Sequence, residues 1–321
     1  MIVEEPDAVA MGLVVEVTPE DRARLDFYEG GFGYGTRVVV LEDGSEAEIY
    51  WPDPGLAPAA PFDLDDWVRD WGEISLRAAA EAMALYGDWS AAQVARVLPA
   101  WRARAQAQLS AHHPGPTRRR SPPGAARPET QRTGGYRGFF RLDRVNVAFD
   151  GFDGHRIGPL DREIFVAFDA ALVLPWDPAT DEVLIIEQFR FGPLMREDPV
   201  TRVFEPIAGL VDAGETPEDA ARREAAEEAG LRIDEVLPMG QGYASPGYST
   251  EYFHFFLARC DLAGAHGHVG GTASESESIR SHVLPLDEAL DLVGTGEINA
   301  TPLAFMLLWL DRHRRAGRDG D

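Results

Sequence analysis

The 321-residue chain has no lysine: its thirty basic side chains are all arginine, against 54 acidic ones, for a formal net charge of −24. So acidic a surface repels phosphate backbones, and nucleic acid is not an expected partner. The short run Arg118, Arg119 and Arg120 is expected to stay solvated or to pair with an acidic face of the protein itself. The single cysteine, Cys260, excludes an internal disulfide, and its place in the apolar run YFHFFLARC suggests a buried strand residue. No stretch approaches the roughly eighteen apolar residues of a membrane span, and no basic-then-apolar leader opens the chain. A cytoplasmic protein is expected. The eight histidines show no metal-ligand spacing.

What is present suggests two domains. In HHPGPTRRRSPPGAARPETQRTGG (112–135), proline, glycine and arginine replace apolar periodicity. The charge follows the same division, at −12 over residues 1–111, +4 over 112–135 and −16 over 136–321. The expected boundaries are a first domain at 1–111, a linker at 112–135 and a second domain at 136–316.

The densest chemistry lies in GLVDAGETPEDAARREAAEEAGL (209–231). Thr216 followed by Pro217 is a helix start, Asp219 suits the first turn, and Gly230 is a natural stop, so a helix is predicted over 217–229. Glu224, Glu227 and Glu228 then share one face, and Ala221, Ala225 and Ala229 form a slim stripe beside them. Like charges so spaced destabilise a solvated helix by roughly 0.2–0.5 kcal/mol per pair. A hard divalent cation removes that penalty, and Mg²⁺ or Mn²⁺ takes such oxygen ligands. Arg223 is placed to hold Glu227. Gly209 and Gly214 allow a tight loop that brings Glu215 and the Ala208 backbone towards the same cation. A glutamate-rich solvated helix is the alternative, but it leaves the glycine loop unexplained.

Gly209, Glu215, Arg223, Glu224, Glu227, Glu228 and Gly230 fit the pattern G-x5-E-x7-R-E-U-x-E-E-x-G-U, where U is aliphatic. This is the Nudix box, and the chain resembles the Nudix hydrolases, which cleave nucleoside diphosphates linked to another group. Three flanking segments narrow the resemblance: EVLIIEQFRFG (182–192), Ser245-Pro246-Gly247 followed by Glu251, and GTASESESIRSHVLPLDEAL (271–290). Together they look like the ADP-ribose pyrophosphatase branch, over roughly 136–313.

The resemblance implies an α/β/α sandwich with a mixed sheet and hydrolysis of ADP-ribose to AMP and ribose 5-phosphate. It implies that the Ala208 carbonyl, Glu224 and Glu228 bind Mg²⁺, with Mn²⁺ as a substitute, and that Glu227 is a further ligand or orients one. Glu277 is implied as a loop ligand and Glu275 as the catalytic base. Arg162 and Arg190 are implied to face substrate phosphates, Glu205 to lie on the substrate side, and Pro246 to mark the substrate loop. The loop 263–278 is rich in glycine, alanine and serine, which suits a base that swings in over bound substrate. The branch also implies a homodimer, with Arg141–Phe165 as a β arm reaching the partner. Alternatives are another nucleotide-sugar or dinucleotide substrate, or a ligand-sensing Nudix domain without turnover.

The first domain reads as strand (GLVVEV), short helix, then two strands, followed by two amphipathic helices whose tryptophans (Trp67, Trp71, Trp89, Trp101) suit a core or an interface. LDFYEGGFGYGTRVVV resembles the γ-glutamylcyclotransferase-like fold, which would make this a smaller α+β domain with an incomplete barrel. Glu29 would be its acid/base, or else an ordinary turn acid before Gly30-Gly31. The family's Y-G-[ST]-L segment is absent. Either the domain has become structural or the start lies too far downstream, and no cyclotransferase activity is expected. The whole chain is also similar to two-domain bacterial Nudix proteins named for tellurite resistance, a phenotype without stated chemistry.

Overall fold

The computed structural model describes residues 12–53, 62–111, 128–272 and 277–318, and the chain divides into two compact units, Met1–Arg162 and Glu163–Asp321. In the first unit, helix α1 (Pro19–Glu29) starts where the Thr18 hydroxyl and the Asp21 carboxylate each accept the other residue's backbone amide. Strands β1 (Tyr34–Val40) and β2 (Glu46–Pro52) form an antiparallel ribbon. Helix α2 (Leu64–Trp67) continues through a π-helical turn into α3 (Glu73–Met83). Helix α4 (Ala91–Ser110), capped by Ser90 with Gln93, runs on through Pro99. Phe27, Ala78, Ala82, Val94, Leu98 and Trp101 make the core between these helices.

The strand expected from GLVVEV does not form. Residues 12–17 lie outside any strand, and β1 and β2 pair only with each other, so among the described residues this stretch has no ladder partner. Trp101 is a core residue as expected, whereas Trp67 is 40% exposed.

Strands β3 (Glu129–Arg137), β4 (Arg141–Asp150) and β5 (Arg156–Val166) form a separate three-stranded sheet. β3 falls within the stretch expected as linker. It was illegible because every residue up to Tyr136 is exposed, leaving no apolar alternation to read. Buried charge ties this sheet to the helices of its own unit. Arg104, fully buried, donates to Glu81 and to the Phe139 carbonyl; the other Glu81 oxygen takes Arg141. Trp101 Nε1 donates to the Gly138 carbonyl at 3.0 Å. Tyr136 to Arg162, which the sequence assigned to the second domain, therefore sits with the first unit.

The second unit contains β6 (Asp169–Asp177), β7 (Glu182–Phe189), α5 (Phe191–Met195), β8 (Arg202–Glu205), β9 (Ile207–Leu210), α6 (Pro217–Ala229) and β10 (Val236–Tyr243). β11 (Tyr252–Arg259), β12 (Val269–Gly270), β13 (Ile279–Pro285), α7 (Leu286–Thr295) and α8 (Thr301–Arg318) follow. The strand order is β10-β11-β6-β7-β13-β12, with β11 parallel to β6 and the other pairs antiparallel. Ala171, Val173, Leu184 and Ile186 face the alanine stripe of α6; Leu172, Leu174, Val183 and Ile185 face Leu286 of α7 and Leu303, Met306 and Leu307 of α8. This is the expected α/β/α sandwich with a mixed sheet.

Two extended runs of the second unit do not form single strands. The run 164–174 is broken, because the Ala167 amide turns to the Thr250 hydroxyl and the Phe168 carbonyl to the Tyr252 amide. The run 203–207 splits at Pro206, which has no amide hydrogen for a ladder. That split positions the site. β6 and β7 pair only at Trp176↔Val183 and Asp177↔Glu182, then diverge; β9 takes the β6 edge and β8 the β7 edge. The sheet forks, with Glu205 and Ala208 on either side of the fork.

No helix of the described residues is long and apolar enough to cross a membrane. Cys260 lies one residue past β11 and is half-buried; burial, with Asp177 and Asp261 nearby, pushes its thiol up to about 11.

Candidate active site

Helix α6 forms over 217–229 as the sequence predicts. The Thr216 hydroxyl accepts the Asp219 amide at 3.2 Å, Pro217 opens the first turn, and Gly230 closes the helix at φ 64°. Ala221 and Ala225 are fully buried, so the helix backbone lies close against the sheet. At Gly209 an added Cβ would sit 1.7 Å from Glu224 Oε1. Only glycine lets that carboxylate lie across β9.

Arg223 organises the acidic face. Its Nε and Nη2 each lie 3.0 Å from one oxygen of Glu215, and Nη2 also donates to the Leu210 carbonyl at 3.0 Å. Its Nη1 donates to Glu224 at 2.5 Å and to Glu227 at 3.2 Å. The expected Arg223–Glu227 contact exists but is the longest of the set. Glu215, expected to face a cation, instead serves as the forked partner of Arg223 and accepts the Asp212 amide at 3.2 Å.

Glu228 is nearly fully buried and accepts the Ala208 amide at 3.1 Å. The sequence assigned Ala208 through its carbonyl; the contact seen here uses its N–H. Burial pushes the Glu228 carboxyl up to about 9, with Glu224 and Glu277 adding to the rise and the Ala208 amide and Arg190 opposing it. Arg190 Nε lies 2.6 Å from Glu205, so two residues expected on the substrate side form one ion pair. Arg190 also acts on Glu251, whose carboxyl is raised by burial. Ala208, Glu224, Glu228 and Glu277 thus gather at the fork, with Arg190 and Glu205 beside them.

Other expected residues lie elsewhere. Glu275 falls outside the described residues, as does the run Arg118–Arg120. Arg162 belongs to the first unit, where its guanidinium donates to the Asp161 carbonyl at 2.8 Å. Pro246 is exposed in the turn after β10. Glu29 ends α1, with its carboxyl raised by burial and opposed by Arg102. Glu251, which the sequence offered only as part of a flanking segment, lies within reach of the Arg190 charge.

Among the described residues, no three histidine, cysteine, aspartate or glutamate side chains already converge as a cation cage. Arg223 engages Glu224 and Glu227, and Glu228 engages a backbone amide. The donors themselves fit a hard divalent ion, being all oxygen, with the buried carboxylate of Glu228 opposed by two others.

Residues 167–303 match the NUDIX domain. The ADP-ribose pyrophosphatase of Escherichia coli (strain K12) is 38% identical over 181 residues, covering 56% of this chain and 86% of that protein. The chain belongs to the Nudix family. The ADP-ribose pyrophosphatase of Haemophilus influenzae (strain ATCC 51907 / DSM 11121 / KW20 / Rd) is 35% identical over 179 residues, 54% of this chain and 81% of that protein. A GDP-mannose pyrophosphatase of Escherichia coli O1:K1 / APEC is 32% identical over 172 residues, 54% of this chain and 88% of that protein. The protein is a Nudix pyrophosphohydrolase.

In this Nudix site Arg223 is a fork, which a lysine point charge cannot replace. Arg223→Lys is expected to lower activity by about 10–100-fold, as for residues that orient metal ligands. A Mg²⁺ titration of activity checks this, and a wild-type titration curve would remove the orienting role.

Proposed function

We propose that this Nudix hydrolase cleaves the pyrophosphate of a nucleoside diphosphate sugar, with ADP-ribose as the substrate and AMP and ribose 5-phosphate as products, in a Mg²⁺-dependent reaction. The observation that carries the reading is the Glu228 carboxylate, buried on the Ala208 amide at the fork of the sheet, with Glu224 laid against Gly209 of the same strand and the Arg190–Glu205 pair on the other arm of the fork. Relatives named for ADP-ribose at 38% and 35% identity support the substrate class.

In this reading Glu224, Glu228, Glu277 and the Ala208 backbone hold the cation, with Glu227 as a further ligand or an orienting group. The bound cation supplies positive charge against the phosphoryl oxygens and acidifies water. Arg190, aimed by Glu205, meets the diphosphate, and Pro246 shapes the substrate loop. Glu275 takes the proton of the attacking water. Two chains pair, and the protein works in the cytoplasm. The first unit is structural, and Glu29 performs no cyclotransferase chemistry.

A second reading has support from the GDP-mannose relative at 32% identity. Measuring kcat/KM for ADP-ribose and GDP-mannose under the same Mg²⁺ decides between them. ADP-ribose is expected to be preferred by about tenfold or more, the equivalent of about 1.4 kcal/mol in transition-state binding. Preference for GDP-mannose would replace the substrate and keep the class.

A further inference from the structure

Strand β12 is only two residues long, yet its backbone lies on the carbonyl end of α6. A Cβ added at Gly270 would sit 2.1 Å from the Glu228 carbonyl oxygen and 3.0 Å from that of Glu227. Both neighbours are helical backbone, which cannot swing aside as a side chain does. Gly271 then donates its N–H to the Glu227 carbonyl at 3.0 Å, satisfying one of the acceptors that a helix end leaves open. Its φ of +99° is a conformation that a side chain strains, and an added Cβ there would lie 2.9 Å from Glu277 Cβ. Thr272 accepts the Glu277 amide at 3.3 Å, while Gly270 pairs with Ile279 two residues beyond. The neck therefore lies on the backbone of Glu227 and Glu228, whose carboxylates belong to the proposed site.

We propose that Gly270 and Gly271 are positioning residues that fasten the neck of the acidic loop to the last turn of α6, so that Glu277 is held against Glu228 by the helix itself. The inference rests on the reading of Glu228 and Glu277 as cation-holding carboxylates. A methyl at Gly270 pushes the neck off the helix and carries Glu277 away from Glu228, without touching the Arg190–Glu205 pair. Its effect belongs to turnover and cation binding and leaves substrate affinity alone.

The test compares Gly270→Ala, Glu277→Gln and the double variant. Gly270→Ala is expected to lower kcat on ADP-ribose by about tenfold or more while KM stays within about threefold. Mn²⁺ binding, read by electron paramagnetic resonance without substrate, should weaken as it does in Glu277→Gln, and the double variant should be no worse than Glu277→Gln alone. A wild-type kcat in Gly270→Ala, or effects that multiply fully in the double variant, would overturn the proposal. Should Gly270→Ala not fold, amide exchange of the wild-type protein still decides. The Gly271 amide should be protected as well as the Gly230 and Leu231 amides at the end of α6, and much faster exchange at Gly271 refutes the fastening. If the wild type hydrolyses neither nucleotide sugar, the proposed function fails, and the exchange and Mn²⁺ measurements still judge the neck.

Discussion

Glu228→Gln is expected to abolish turnover and, in the cation-free protein near pH 8, to raise the melting temperature. Both effects have one cause. Glu228 is buried among acids at the foot of the site, and its carboxyl is pushed from an ordinary 4.5 to about 9, first by burial. A carboxyl whose folded value is raised leaves the fold most stable below the unfolded value of 4.5, and that stability is lost as pH rises towards 9. Glutamine has no proton to lose in the unfolded chain and can still accept the Ala208 amide. A gain of about 1 kcal/mol corresponds to roughly 2–4 °C for a domain of this size. In the proposed function Glu228 would hold the cation, and its loss is expected to remove several kcal/mol of transition-state charge stabilisation, on the order of a thousandfold in rate. Thermal melts at pH 5 and pH 8 with EDTA, alongside steady-state kinetics, check both halves. The stabilisation should be smaller at pH 5; a variant that is active, or equally stabilised at both pH values, contradicts the account.

The second large effect concerns stability in the first unit. Glu81→Ala is expected to cost about 3–5 kcal/mol, because removing one partner of a buried ion cluster strands the others. Arg104 is fully buried, Arg141 nearly so, and both spend a guanidinium nitrogen on Glu81. Burial already pulls the Arg104 guanidinium below its ordinary value, which shows the desolvation that Glu81 offsets. A loss of that size is a large part of the roughly 5–15 kcal/mol that holds a domain folded. Urea unfolding monitored by amide exchange in α3 and α4 isolates this unit. Replacing Glu81 and Arg104 together with methionine should recover part of the loss, since Arg104 is then not stranded and Arg141 keeps Asp143. A cost below about 1 kcal/mol for Glu81→Ala would mean that water reaches the cluster.

The two halves of the chain were not equally legible. Helix α6 was readable to the residue because Thr216, Pro217 and Gly230 are local signals, each fixed by backbone chemistry within one turn. The sandwich came with the resemblance, because apolar runs such as Val183–Ile186, buried on both faces, do not say which layers cover them. The fork between β8 and β9 was not readable beyond Pro206, because strand pairing is a long-range choice. The pairing of Glu215 with Arg223 was equally hidden, since eight residues and a loop separate them. β3 escaped because its residues are exposed, and the cluster of Glu81, Arg104 and Arg141 because buried charges look like solvated ones in a sequence.

The most direct test of the central claim is product analysis with the full-length protein. Incubated with ADP-ribose and Mg²⁺, it should release AMP and ribose 5-phosphate in equal amounts, and EDTA should stop the release. Failure to form AMP from ADP-ribose, together with failure to form GMP from GDP-mannose, would contradict a nucleoside diphosphate sugar hydrolase built on the carboxylates of α6.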